Sequence, residues 1–339
     1  MKKTALAVTG LLAAGALLVP ISAAHAQDKK KVGLLFDITG RGDKSFNDSA
    51  AAGLDKATKE LGIAPTESAP TGDADRPERV KALTDAKNGL IICVGFLWNK
   101  DCTASAKANP TTSYAIIDDV MDVPNAAGLV FAAEQGSYLV GVAAAQASKS
   151  NKIGFVGGVS IDLIKAFEAG YTAGVKSVKP KAKVIIKYVS DPPDFGGFND
   201  AAKAQAITAA MLGQGVDVIY AAAGTSGLGV FSGLKASGKK PGKVWGIGVD
   251  ADQYNTVSVE GGRDFILTSM LKRVDVATFE AIKAFNAGSP LTGLKNFDVK
   301  QGGVGYSTTN KKAIAPYVKK IEAAKAAIIS GKVVVPTKP

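Results

Sequence analysis

Short apolar runs alternating with longer stretches of mixed polarity set the rhythm of this chain. Residues 32–36, 89–94, 113–117 and 128–131 are largely apolar and read as buried strands. A second series, at 152–156, 183–188, 216–220, 243–248 and 265–271, has the same character. Between them, residues 50–61, 134–149, 161–175, 201–214 and 274–287 have helical length and spacing. Strands without a polar face, separated by helices, predict parallel sheets covered on both sides, an α/β fold. The pattern starts afresh at Lys152, after the polar break Ser148-Lys149-Ser150-Asn151. Each half opens with strand, glycine-containing loop and helix: 32–36 then Gly40, and 153–156 then Gly157-Gly158. Two lobes are expected, with the crossover at that break.

The first 26 residues stand outside this rhythm. Lys2 and Lys3, the apolar run 5–19 and Ala24-His25-Ala26 have the layout of a secretory signal with an A-x-A cleavage site. Cleavage after Ala26 predicts a soluble exported chain starting at Gln27. No cysteine lies near that site, which argues against a lipid anchor; a short bacterial signal of this kind predicts the periplasm. Cleavage also removes His25, the single histidine. A chain without histidine is excluded from Ser-His-Asp and Cys-His catalysis and from histidine-containing zinc sites. Carboxylate or lysine chemistry stays open, and no metal or cofactor is expected.

Cys93 and Cys102 are the only cysteines. In an oxidising compartment they either form a local disulfide or stand as a buried strand residue with a free thiol nearby. The net charge is +11, from 41 basic and 30 acidic residues. The lysines are scattered over helix faces, with no arginine-rich stripe and no interleaved aromatics, so nucleic acid is not the expected partner.

The densest chemistry lies between Asp37 and Leu54, where the first strand breaks into a loop and enters a helix. Ligands of open α/β folds bind at such junctions. Here the junction carries Asp37, Asp43, Ser45, Phe46 and Asn47, a set suited to a small ligand with a flat ring and hydroxyl groups. Read by themselves, Phe46 could equally be core and Ser45 a helix cap. The Gly224–Gly229 stretch lacks the spacing of a phosphate-binding loop and reads as a tight turn.

Across nearly the whole chain after residue 26, motifs in matching order carry a resemblance to a known family. They are Asp37…Gly40…Asp43-Lys44-Ser45-Phe46-Asn47, Ala115-Ile116-Ile117-Asp118, Glu134-Gln135-Gly136-Ser137, Lys152-Ile153-Gly154-Phe155-Val156-Gly157-Gly158, Ala223-Gly224-Thr225-Ser226-Gly227 and Gly248-Val249-Asp250-Ala251-Asp252-Gln253. The chain resembles the basic membrane protein family of ABC-transporter solute-binding proteins, receptors for purine nucleosides. The resemblance implies a type I periplasmic binding protein, two doubly wound lobes joined by a hinge. Lobe 1 would comprise 27–147 plus about 274–292, and lobe 2 would comprise 150–272 plus about 296–339.

By the same resemblance, Phe46 and Phe198 stack on the base, with Phe195 and Phe96 as other aromatics available for the second face. Asn47 and Asp118 read the base edge; Asp37, Asp250 and Lys272 contact the ribose; Gly227 offers a backbone contact. The implied partner is an inner-membrane ABC permease, and a non-catalytic monomer is expected. Rival readings keep the fold but bind a sugar or a signalling molecule for a membrane receptor. Another uses the carboxylates to hydrolyse nucleosides.

Overall fold

The computed structural model describes Met1 and residues 29–339; the expected signal segment with His25 lies outside the described residues. The strands are β1 (Lys31–Leu35), β2 (Ala64–Ser68), β3 (Leu90–Val94), β4 (Ser113–Ile117), β5 (Ala126–Phe131) and β6 (Lys152–Val159). They continue with β7 (Lys183–Ser190), β8 (Val218–Ala222), β9 (Trp245–Asp250), β10 (Ile266–Lys272), β11 (Gly293–Phe297) and β12 (Val304–Tyr306). Two six-stranded sheets result, in the orders β11-β5-β4-β3-β1-β2 and β12-β10-β9-β8-β6-β7. The pairing is parallel except between β10 and β12. The two orders match strand for strand, so β1 corresponds to β6, β3 to β8 and β4 to β9.

Central strands coincide with the apolar runs because both their faces are covered: β3 and β8 are buried at every residue. The edge strands β2, β11 and β12 escape the sequence reading for the converse reason. β2 and β11 are polar and largely exposed, and β2 carries Pro65, which only an edge tolerates.

The chain crosses between lobes three times: after β5, after β10, and between β11 and β12. The first crossing corrects the expected boundary at residue 147. Helix Ala133–Ala147 lies in lobe 2, in one core with Phe155, Phe167, Tyr171 and Tyr220. Glycines bring it against helix Asp162–Val178; a Cβ on Gly170 would lie 2.0 Å from the Glu134 carbonyl oxygen. The polar break 148–151 is instead a loop inside lobe 2, where Asp217 accepts hydrogen bonds from Ser148 Oγ, Lys149 N and Ser150 N. The true crossing is apolar, Phe131-Ala132, and composition does not betray it. Similarly, Asn296 and Phe297 belong to the lobe 1 sheet through β11, not to lobe 2.

The crossings lie side by side. Ala132 N donates to Phe297 O at 3.1 Å, Arg273 N donates to Gly303 O at 2.9 Å, and the Phe131 and Phe297 rings stack at 5.1 Å. Helix Val274–Asn286 returns to lobe 1 and packs on helix Phe46–Leu61, where a Cβ on Gly53 would meet Asp275 O at 2.4 Å. Cys93 and Cys102 are disulfide-bonded and fully buried, tying the end of β3 to helix Asn99–Ala108.

Candidate functional site

Between the lobes, where the carboxyl ends of the strands of the two sheets face each other, lies a cavity of about 660 Å³, part of it open to solvent. A cleft between lobes is a common place for a small-molecule ligand. Lobe 1 supplies Asp37, Asn47, Phe46, Phe96 and Asp118 to its wall, and lobe 2 supplies Phe167, Phe198, Thr225, Asp250 and Lys272.

The lobe 1 loop is held by its own side chains. Asp43, not Ser45, caps helix Phe46–Leu61: it accepts from Ser45 N (2.9 Å), Asn47 N (2.7 Å) and Asp48 N (3.0 Å). This leaves Ser45 Oγ free to reach across the cleft and donate to Asp250 Oδ2 at 2.6 Å. Asn47 is more constrained than the sequence suggests. Its Oδ1 accepts from Asp37 N at 2.8 Å and its Nδ2 donates to Thr39 Oγ1 at 3.3 Å, so both ends of the carboxamide hold the loop.

Asp118 and Asp250 close their strands in the left-handed region, with φ of 67° and 62°. Few residues other than glycine accept that conformation, and aspartate and asparagine are among them. Both carboxylates are turned to the cavity. Lys272, at the end of β10, forms an ion pair with Asp118 across the lobes, with both side chains at most 5% exposed. Its ammonium also lies 4.7 Å from the Phe46 ring centroid, 5.2 Å from that of Phe131 and 5.7 Å from that of Phe167. Gln253 Nε2 donating to Lys44 O at 3.0 Å adds to these interlobe contacts, and the lobes stand closed.

Burial dominates the electrostatics. It pushes the Asp37 carboxyl up to about 6, against the opposing pull of Arg76, and Asp250 up to about 6, against Lys272 and Ser45. Asp43 is also raised by burial, offset by the backbone N–H groups it caps.

Seven of the eight expected site residues meet at this cavity: Asp37, Phe46, Asn47, Asp118, Phe198, Asp250 and Lys272. Gly227 does not line it. A 3₁₀ turn, Gly224–Ser226, precedes helix Gly227–Ala236, so Gly224 and Thr225 form the wall and Gly227 lies behind them, near Ala221. Of the competing aromatics, Phe96 lines the cavity. Phe195 does not, but its ring meets Phe96 edge-on at 5.6 Å, joining the two lobes. Phe167 was not anticipated: on an amphipathic helix its spacing is that of a core residue. Among the described residues, no three His, Cys, Asp or Glu side chains are placed to hold a metal ion, and no helix is long and apolar enough to cross a membrane.

Two sheets of matched strand order, three crossings and a polar–aromatic cleft between them define a two-lobed α/β protein of the type I periplasmic-binding fold. Residues 29–338 match the family model of PnrA-like ABC transporter substrate-binding proteins, and the chain belongs to that family. It is 36% identical to the ABC transporter nucleoside-binding protein BmpA of Lactococcus lactis, over all of both chains. It is 31% identical to basic membrane protein A of Borreliella burgdorferi, over 91% of this chain and 88% of that one. Among solved structures, an ABC transporter solute-binding protein of Aeropyrum pernix K1 superposes with a TM-score of 0.79 at 29% identity, covering 90% of this chain and 93% of the other. Family membership makes this chain an ABC-transporter substrate-binding protein, with a small-molecule ligand and a permease partner.

Proposed function

We propose that the chain captures a purine nucleoside between its lobes in the periplasm and presents it, as a monomer, to an inner-membrane ABC importer. The observation that carries this reading is the cavity wall itself. Phe46 and Phe198 come from opposite lobes to one space, with Asp37, Asp118, Asp250 and Lys272 around it. Offset stacking of a base on such rings contributes roughly 1–3 kcal/mol per base. Asp118 accepts from base N–H groups, which favours guanine- or hypoxanthine-type edges, while Asp37 and Asp250 accept from ribose hydroxyls and Lys272 balances their charge. Asn47 supports the reading indirectly, by fixing the loop that aims Asp37. The nucleoside-binding name of the Lactococcus relative points the same way.

Opening and closing takes place about the three crossings, a hinge closure that buries the ligand. The excess of carboxylates disfavours phosphorylated nucleotides, whose charge would be trapped beside them. The site is read as binding without catalysis. A thermal-shift screen of ligand-stripped protein against nucleosides, bases, nucleotides and sugars tests this, since a ligand of the folded state raises the melting temperature. Inosine, guanosine or adenosine should shift it, and ribose and nucleotides should not. A shift with a sugar alone, or free base released from inosine, would replace this reading.

A further inference from the structure

Arg76 sits where a cation is hard to keep. It is the first residue of helix Arg76–Asp85, where the helix dipole opposes positive charge. It is 3% exposed and, among the described residues, the only buried arginine, so its hydration is lost as well. Its guanidinium lies over the Trp98 ring, 4.6 Å from the centroid. Trp98 is itself pinned, its Nε1 donating to Phe36 O at 2.9 Å, in the segment between the two disulfide-bonded cysteines.

Two carboxylates face the guanidinium. Asp73 approaches Nε at 3.4 Å, but its side chain is 84% exposed and its charge is screened. Asp37 Oδ1 lies 3.7 Å from Nη2, with the Asp37 side chain only 14% exposed. Arg76 Nη1 and Asp37 Oδ1 are both sealed from solvent, and neither makes a hydrogen bond among the described residues. Asp37 lines the cavity; Arg76 stands behind it.

We propose that Arg76 is a positioning residue for ligand capture: from behind the wall it keeps the Asp37 carboxylate charged and directed into the cavity, ready to accept the ligand's hydroxyl hydrogens. The identity of those hydroxyls rests on the nucleoside reading; the coupling of Arg76 to Asp37 does not. Every other neighbouring charge in lobe 1 works against ionisation of Asp37. Asp118 arrives from the end of β4 and Asp43 from the capping loop, while the Ile38 backbone N–H alone assists Arg76. Lobe 2 presents Asp250 and Lys272 to the same cavity.

An opposite charge at this range lowers a carboxyl pKa by about 1–3, so removing it carries Asp37 from about 6 to above neutrality. The test is calorimetric inosine affinity from pH 6 to 9 for wild type, Arg76→Gln, Arg76→Lys, Asp37→Asn and the Arg76→Gln/Asp37→Asn double variant. Arg76→Lys should match wild type at every pH. Arg76→Gln should bind about tenfold more weakly at pH 7 and recover by pH 9, since each pKa unit is tenfold in protonation. In the Asp37→Asn background, Arg76→Gln should add nothing. A loss in Arg76→Gln that is equal at every pH, or that persists undiminished in the Asp37→Asn background, would overturn the proposal. A ¹³C NMR titration of the Asp37 carboxyl, assigned with Asp37→Asn and run on wild type, Arg76→Lys and Arg76→Gln, decides the coupling without ligand. A midpoint higher in Arg76→Gln than in wild type and Arg76→Lys supports the proposal, and equal midpoints overturn it. If wild type binds no nucleoside, the functional reading falls while the NMR titration still decides the coupling.

Discussion

Asp118 and Asp250 occupy the same place in the two lobes, and each is gripped by the opposite lobe in a different way. β4 and β9 hold the same position in their sheets, and an aspartate in the left-handed conformation directly follows β4 and ends β9. Lobe 2 meets Asp118 with a buried ammonium, Lys272; lobe 1 meets Asp250 with a neutral hydroxyl, Ser45. One half-site is therefore an ion pair. The other is a carboxylate that burial pushes up to about 6. The repeated topology sets where the two aspartates stand and their backbone shape. Their charge behaviour is decided by burial and by the partners the closed fold brings to each: Lys272 across the cleft to Asp118, and Ser45 across the cleft together with Lys272 of its own lobe to Asp250.

The comparison breaks most completely at Lys272. Lys272→Met leaves Asp118 buried without its cation, a loss of about 3–5 kcal/mol for a broken buried pair. Nucleoside binding should vanish in calorimetry, and X-ray scattering should show a more open particle. Wild-type affinity together with an unchanged scattering profile would mean the ion pair does not hold the lobes.

A pair of asparagine substitutions sharpens it. Asparagine tolerates the left-handed region, so the backbone cost is common to both variants. Asp118→Asn strands the buried ammonium and should lower the melting temperature of the ligand-free protein by several degrees. Asp250→Asn replaces a group that burial already drives toward neutrality, and should melt at or above wild type. The pH dependence has a definite sign. A carboxyl raised from 3.8 to about 6 in the fold adds most stability when protonated, below its unfolded value, and loses that contribution as pH rises through 6. Ligand-free wild type should thus lose stability between pH 4 and 7 through Asp37 and Asp250, with a shallower fall in Asp250→Asn. Equal melting losses in the two asparagine variants would erase the distinction between the half-sites.

The smallest effect is expected at Ser45. Ser45→Ala removes one hydrogen bond to a carboxylate, about 1.5–3 kcal/mol for a charged acceptor and less where Asp250 is partly protonated. Affinity should fall by tenfold or more at pH 8 and by less at pH 5.5, measured by calorimetry. A pH-independent loss would show that the Asp250 charge is not set by this contact.

Most of the fold is legible in the chain because burial on both faces forces β1, β3, β4, β6, β8 and β9 to be apolar along all but their terminal residues. What is not legible has one exposed face or no compositional mark: the polar edge strands β2 and β11, and the crossing at Phe131-Ala132. The site divides the same way. Asp37, Phe46, Asp118 and Asp250 stand at strand ends or just beyond them, where ligands of this architecture bind, and their neighbourhood in sequence marks them. Phe167 and Arg76 sit on helices whose patterns are those of core and surface, and nothing local distinguishes them. Asn47 is placed correctly by its position and incompletely by its chemistry, because only the folded loop shows its carboxamide already engaged.

The sequence by itself determined the alternation of strand and helix, the doubling of that pattern, and the residues that strand ends carry, since these depend on periodicity and local turn chemistry. Tertiary structure alone decided that helix Ala133–Ala147 belongs to lobe 2, that Ser45 reaches across to Asp250, and which charge faces each aspartate. Those outcomes depend on contacts between residues far apart in the chain, such as Lys272 with Asp118 and Ser45 with Asp250. Burial and Coulomb interactions there are set by distance in space, on which local sequence is silent.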